Sequence, residues 1–141
     1  MRAVDKLQAV YKQLNRDTIN TALLAQAYDA NVVFEDPFHR VHGIEALTED
    51  FRGLYKNVTS IDFDYRSSVE FDEHGYIEWD MTFVHPRIKG GQAVIVNGIT
   101  KVKIANGLII EHRDYFDGGQ MLYENVPVIG AGVRWLKGRL A

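Results

Sequence analysis

Two aspartates, Asp36 and Asp114, fall where a polar side chain needs an explanation. Side chains alternate between the two faces of a strand, so an acid sharing its face with apolar residues is buried, paired or at work. From 108 to 117, the residues Leu108, Ile110, His112, Asp114 and Phe116 share one face, which sets Asp114 between apolar neighbours with His112 beside it. The same count puts Asp36 with Val32 and Phe34. A carboxylate in such a setting loses hydration, which raises its pKa toward the range useful for moving protons near neutrality. Two that face one cavity titrate as a coupled unit. A structural alternative stands beside each: Asp36 caps the turn at Pro37, and Asp114 accepts a bond from His112 or a backbone amide.

Asp80 is the third candidate acid. Parity sets it with Glu78 and Thr82, opposite the apolar set Ile77, Trp79, Met81 and Phe83, so only a bulge or a subunit interface over that stripe brings it inward. Asp36, His39 and His42 recur at three-residue steps, yet Pro37 rules out helical spacing among them, and no metal site is expected. Cysteine is absent and no G-x-S-x-G occurs, so neither a Cys-His nor a Ser-His-Asp nucleophile is expected.

The elements that position these residues follow from periodicity. Val4, Leu7, Tyr11 and Leu14 predict a first amphipathic helix. Asp17 and Thr18 are good caps for a second, whose buried face is Ile19, Leu23, Leu24, Ala27 and Tyr28 and which ends at Asp29-Ala30-Asn31. Val32 to Asp36 reads as a short strand closed by Pro37, and Ile44, Leu47, Phe51 and Leu54 or Tyr55 mark a third helix. The period then changes to two. Ile61, Phe63, Tyr65, Val69 and Phe71 alternate with polar residues, Asp72-Glu73-His74-Gly75 turns the chain into 76 to 85, 92 to 104 is β-rich, and Asn106-Gly107 is a hairpin signal before the last long strand. Residues 118–141 read as a C-terminal arm or short helix carrying Val133, Trp135, Leu136 and Leu140. Helices first and an antiparallel meander afterwards make one α+β domain over residues 1–141.

Bulk properties narrow the function classes. An apolar content of 46% in 141 residues suffices for one core without disulfides or metals. The net charge of −3 is spread along the chain without a Lys/Arg cluster, so nucleic acid is not an expected partner. No stretch is long and apolar enough for a membrane span, and the first fifteen residues mix charges into their apolar positions, unlike a signal peptide. The cytoplasm is the expected compartment. The glycine pairs lack the strand, glycine pattern and helix order of a phosphate loop.

The stretch from Tyr28 to Phe38 (YDANVVFEDPF), followed by His42-Gly43, resembles ketosteroid isomerases, and Glu111 to Asp117 (EHRDYFD) is similar to limonene-epoxide hydrolases and SnoaL-like polyketide cyclases. All belong to the NTF2-like superfamily. The resemblance covers about Val4 to Asp117 in element order and implies a cone in which three N-terminal helices pack on a strongly curved antiparallel sheet. By position, Asp36 matches the isomerases' general base, Tyr11 falls near their oxyanion-hole tyrosine, and Thr100 takes the place of their protonated aspartate. On the epoxide-hydrolase side Asp114 and Asp80 match a working pair, while Glu78 stands in place of the arginine between them and Phe34 and Asp36 in place of the water-holding tyrosine and asparagine. In SnoaL-like cyclases an aspartate near Asp114 acts as acid and base with fewer partners.

These residues lead to a cofactor-free acid/base enzyme, of isomerase, cyclase or hydrolase type, acting on a hydrophobic carbonyl-containing or polycyclic ligand. Asp36, Asp114 and Asp80 are the catalytic candidates, and Tyr11, Tyr28, Phe34, Thr100, His112 and Phe116 are the substrate-binding candidates. The competing reading is a non-catalytic ligand-binding or dimeric module, with Trp79, Met81 and Phe83 as a stripe that pairs two subunits through the sheet.

Overall fold

The computed structural model describes residues 1–121, 135–136 and 138–140. Helix α1 spans Ala3–Gln13 and buries Ala3, Val4, Leu7 and Val10, the stripe expected from the apolar spacing. The expected second helix shrinks to a single turn, α2 (Thr21–Leu24), because the cap is Asn20, whose side chain accepts the Leu23 amide at 2.8 Å. Tyr28 therefore opens strand β1 (Tyr28–Glu35) instead of closing a helix. After β2 (Arg40–His42), Gly43 turns the chain with φ of 92° into α3 (Ile44–Asn57), which buries Leu47, Thr48, Phe51 and Tyr55 and leaves Leu54 exposed. Arg16 reaches across to the carbonyls of Tyr55 and Val58, satisfying acceptors that the end of α3 leaves open.

Strands β3 (Ser60–Phe71), β4 (His74–Val84), β5 (Val94–Ala105) and β6 (Leu108–Phe116) form the meander. The turn between β3 and β4 places Asp72 and Glu73 at positive φ, and the one between β5 and β6 does the same with Asn106 and Gly107, the backbone that two-residue hairpins need. The sheet has six strands in the order β2-β1-β6-β5-β4-β3, antiparallel throughout except where β1 runs parallel to β6. Together with the helices this is an α+β fold. Helix α4 (Gly118–Met121) follows β6, and 135–136 and 138–140 are helical. Val133 lies outside the described residues.

Two bulges decide which side chains face inward. Tyr65 pairs with Trp79 but Ser67 with Glu78, so Arg66 is an extra residue and the face flips after it. Ile61, Phe63 and Tyr65 are half-buried, whereas Val69 and Phe71, expected on the same face, are exposed. In β6 the extra residue is Ile110, since Lys103 pairs with Glu111 and Ile104 with Ile109. Ile109 thereby joins the core while His112, Asp114 and Phe116 keep their shared face. Trp79, Met81 and Phe83 are also core residues, so the stripe expected to pair two subunits is unavailable for that purpose. The large apolar residues exposed on the outer face of β5 and β6 are Ile95, Ile99 and Tyr115.

Candidate functional site

Between α1, α3 and the inner face of the sheet lies a cavity of about 600 Å³. Much of its wall is aromatic, supplied by Tyr11, Phe34, Phe51, Phe63, Trp79 and Phe116. Asp114 lines it too, with a side chain only 15% exposed. Asp36, His39, Asp50 and His85 line it as well, Asp36 with a side chain 13% exposed.

Asp114 is held by two converging hydrogen-bond chains. On one side the Trp79 indole donates to the Thr100 hydroxyl at 2.8 Å, and Thr100 donates to Asp114 Oδ1 at 2.6 Å. On the other, Tyr11 and Tyr28 join through their hydroxyls at 2.9 Å, Tyr28 meets His112 Nδ1 at 2.8 Å, and His112 Nε2 meets the same Asp114 Oδ1 at 2.7 Å. Asp114 Oδ1 accepts from His112 Nε2 whether the carboxyl is ionised or carries a proton on Oδ2. A neutral imidazole then accepts at Nδ1 from Tyr28, which accepts in turn from Tyr11. Every buried polar side-chain atom among the described residues has a partner. Both bonds end on Oδ1, which leaves Oδ2 for a molecule in the cavity. Burial, with the nearby Asp114 charge adding to it, holds the Tyr11 and Tyr28 hydroxyls well above the usual phenol range, so both keep their protons. Tyr55, on the cavity wall, is pushed up to about 12, chiefly by burial.

Of the residues singled out from the sequence, Asp36, Asp114, Tyr11, Phe34 and Phe116 line the cavity. Tyr28, Thr100 and His112 do not. They are buried behind the wall and hydrogen-bond to Asp114 or Tyr11, which sets them apart from the lining positions expected of substrate contacts. Thr100 also has no proton left for a ligand, since its hydroxyl is committed to Asp114.

Asp80 is not brought to the cavity. It sits on the opposite face of β4, where Arg66 and Asn97 donate to its two oxygens and the Arg66 bond holds its carboxyl below the usual range. This is the solvent-side placement that strand parity indicates, and it separates Asp80 from Asp114 as a working pair.

Asp36 takes the turn-capping role. Its Oδ1 accepts the amides of Phe38 and His39 at 2.8 and 3.0 Å and also meets His39 Nδ1 at 3.0 Å. His39 Nε2 lies 2.8 Å from Asp50, so one imidazole bridges two carboxylates. His42 is in β2 and takes no part. Asp50 and His85 also line the cavity, and nothing in their spacing marks them. Asp50 lies on the polar side of a helix, and His85 follows β4 in a turn where its Nδ1 accepts the Arg87 amide, so neither interrupts an apolar pattern.

The bridge gives a pH prediction. Burial lowers the His39 pKa, but the Asp50 hydrogen bond and the Asp36 and Asp50 charges outweigh it, and the net shift is upward. A raised folded-state pKa stabilises below the unfolded value of about 6.5, and the benefit is lost as pH rises through the folded value. NMR titration is expected to place His39 above the ordinary histidine midpoint, and Asp50→Asn to bring it down.

Residues 7–112 match the family model described as a SnoaL-like domain. Among solved structures, a protein with a ketosteroid isomerase-like fold from Catenulispora acidiphila DSM 44928 superposes with a TM-score of 0.73 at 13% identity, covering 89% of this chain and 92% of its own. An NTF2-like protein of unknown function from Burkholderia pseudomallei K96243 gives 0.72 at 13% identity, covering 84% and 93%. An LEH-like epoxide hydrolase from M. tuberculosis gives 0.68 at 18% identity, covering 84% and 85%. Comparison with curated proteins returns no match. At these identities the structural likeness shows the fold, and the differing descriptions of these neighbours leave the chemistry to the site itself.

Proposed function

The chain belongs to the SnoaL-like domain family of the NTF2-like superfamily, and on that premise we propose that it is a cofactor-free acid/base enzyme acting on a hydrophobic, carbonyl-containing ligand. The observation that carries this reading is Asp114 itself, a carboxylate in an aromatic cavity with one oxygen fixed by Thr100 and His112 and the other left to a ligand. A base held this way is oriented before the ligand arrives, which is the condition for efficient proton transfer. Phe34, Phe116 and Tyr11 supply the apolar and edge contacts that hold a flat or polycyclic ligand against it.

In the same reading the sheet curves as a cone around the cavity under its helices, and the protein works in the cytoplasm. Its partners are the ligand and, through the outer sheet face where Ile95, Ile99 and Tyr115 are exposed, a second copy, which sedimentation velocity would report as a dimer mass.

A small bicyclic ketone, 2-tetralone, tests the proposal through release of tritium from its acidic C1 position. The unmodified chain is expected to accelerate release over buffer, and Asp114→Asn to remove about 100-fold or more of that acceleration while remaining folded. Asp114→Asn at full rate would exclude Asp114 as the base. Tight binding of 2-tetralone without any release would favour the non-catalytic ligand-binding module.

A further inference from the structure

The chain of hydrogen bonds behind Asp114 starts and ends at the cavity. Tyr11 and Asp114 both line it, whereas Tyr28 and His112, which connect them, are 1% and 2% exposed and touch none of it. The three links measure 2.9, 2.8 and 2.7 Å, all within hydrogen-bonding distance, and the phenol and imidazole between the ends can each take up a proton on one side while releasing one on the other. We propose that this chain is a proton relay that makes Tyr11 a second catalytic residue: Asp114 exchanges a proton with a ligand carbon while Tyr11 exchanges one with the oxygen of the same ligand. The substrate class is then an enolisable carbonyl compound moving between keto and enol forms. The inference rests on the acid/base reading of Asp114 given above.

The step balances without any outside reagent. Starting from the enol, with a proton on Asp114 Oδ2, the ligand O–H proton passes to Tyr11 as the Tyr11 proton passes to Tyr28. The Tyr28 proton passes to His112 Nδ1, the His112 Nε2 proton passes to Asp114 Oδ1, and the Oδ2 proton forms the new C–H bond. The carbon–carbon double bond becomes the carbonyl. Each group ends with the charge it began with, His112 has exchanged one neutral tautomer for the other, and the chain now runs in the opposite order, set for the reverse reaction. Heavy-atom distances serve both orders equally. That matters in this cavity, because the buried tyrosines resist becoming phenolates and a stepwise transfer would have to make one. Thr100, donating to Oδ1 from the other chain, holds the carboxyl while the proton moves.

Tyr28 is the discriminating position, since it reaches neither the ligand nor Asp114 directly. Tyr28→Phe removes one oxygen from the middle of the relay. With 2-tetralone as the probe, Tyr28→Phe and Tyr11→Phe are each expected to slow tritium release about tenfold or more. Tyr76→Phe, which removes an exposed hydroxyl from β4, is expected to leave the rate unchanged. In mixtures of H₂O and D₂O, the rate of the unmodified chain is expected to fall along a curve, because several protons move together, and that of Tyr28→Phe along a straight line. A merely structural role for Tyr28 would not change that shape. Tyr28→Phe at full rate, or a straight line for the unmodified chain, overturns the relay, and the second measurement decides even if Tyr28→Phe does not fold. A failed relay leaves the Asp114→Asn loss in place, whereas Asp114→Asn at full rate overturns the acid/base reading itself.

Discussion

Trp79→Ala is expected to remove about 3–5 kcal/mol of folding free energy, the range for deleting a large aromatic side chain from a packed interior. Trp79 is 2% exposed and meets Phe63 edge-on at 5.3 Å and Phe116 at 6.1 Å, so its loss opens the cavity wall on two sides. The opposite strand is built around it. A Cβ at Gly98 would lie 2.3 to 2.8 Å from three indole carbons, which means that Gly98 is there to admit the ring. The void left by alanine is therefore bounded by backbone that cannot collapse into it. Its N–H is also the donor that fixes Thr100, so the damage reaches Asp114 through one further bond. Urea unfolding at 25 °C measures the loss, and a change below about 1 kcal/mol would mean that the indole is not packed as described. Trp79→Phe, which keeps an aromatic ring but not the N–H, is expected to recover much of the packing energy.

The sequence made the inward face of β6 legible because His112, Asp114 and Phe116 lie beyond the bulge at Ile110 and so keep strict alternation. The same reasoning failed where a bulge intervenes: Val69 and Phe71 continue the apolar alternation on paper, but the extra residue at Arg66 turns them out to solvent. Nothing in residue types marks a bulge there. Tyr28 departs from the expected helix for a related reason, since its apolar ring fits a helical stripe with Leu24 as well as it fits the start of a strand. Long-range partners decide, here His112 at 84 residues' separation. Asp36 shows the limit of face arithmetic in another way. Strand parity puts it near the cavity, where it is, but its role is set by the turn that follows, whose amides and His39 take up Oδ1. Asp114 and Asp36 look alike in sequence and both are bonded through Oδ1 alone; what separates them is the partner set, buried Thr100 and His112 for Asp114 against the amides of a turn and the exposed His39 for Asp36.

That difference predicts how His112 and Asp114 depend on each other. His112→Phe fills the buried site with a ring of similar size but withdraws two bonds at once, leaving the Tyr28 hydroxyl without its acceptor and the Asp114 carboxylate with Thr100 alone. Each buried polar group stripped of a partner costs roughly 1–3 kcal/mol, more for a charged one, so a total of about 3 kcal/mol is expected. Removing the second partner as well should relieve part of that cost. In the double variant His112→Phe, Asp114→Val no carboxylate remains to be desolvated, and the pair is expected to be more stable than His112→Phe alone by about 1 kcal/mol or more. The sum of the two single changes would then exceed the double change, a coupling that a double-mutant cycle reads directly. Additive effects would mean that the 2.7 Å contact contributes nothing beyond packing. Activity should follow a different order from stability, because the stabilised double variant has lost the base: it is expected to be the better folded protein and to release no tritium above buffer. Such a split would show that the buried polar chain is kept for what Asp114 does in the cavity, since an apolar interior would serve the fold at least as well.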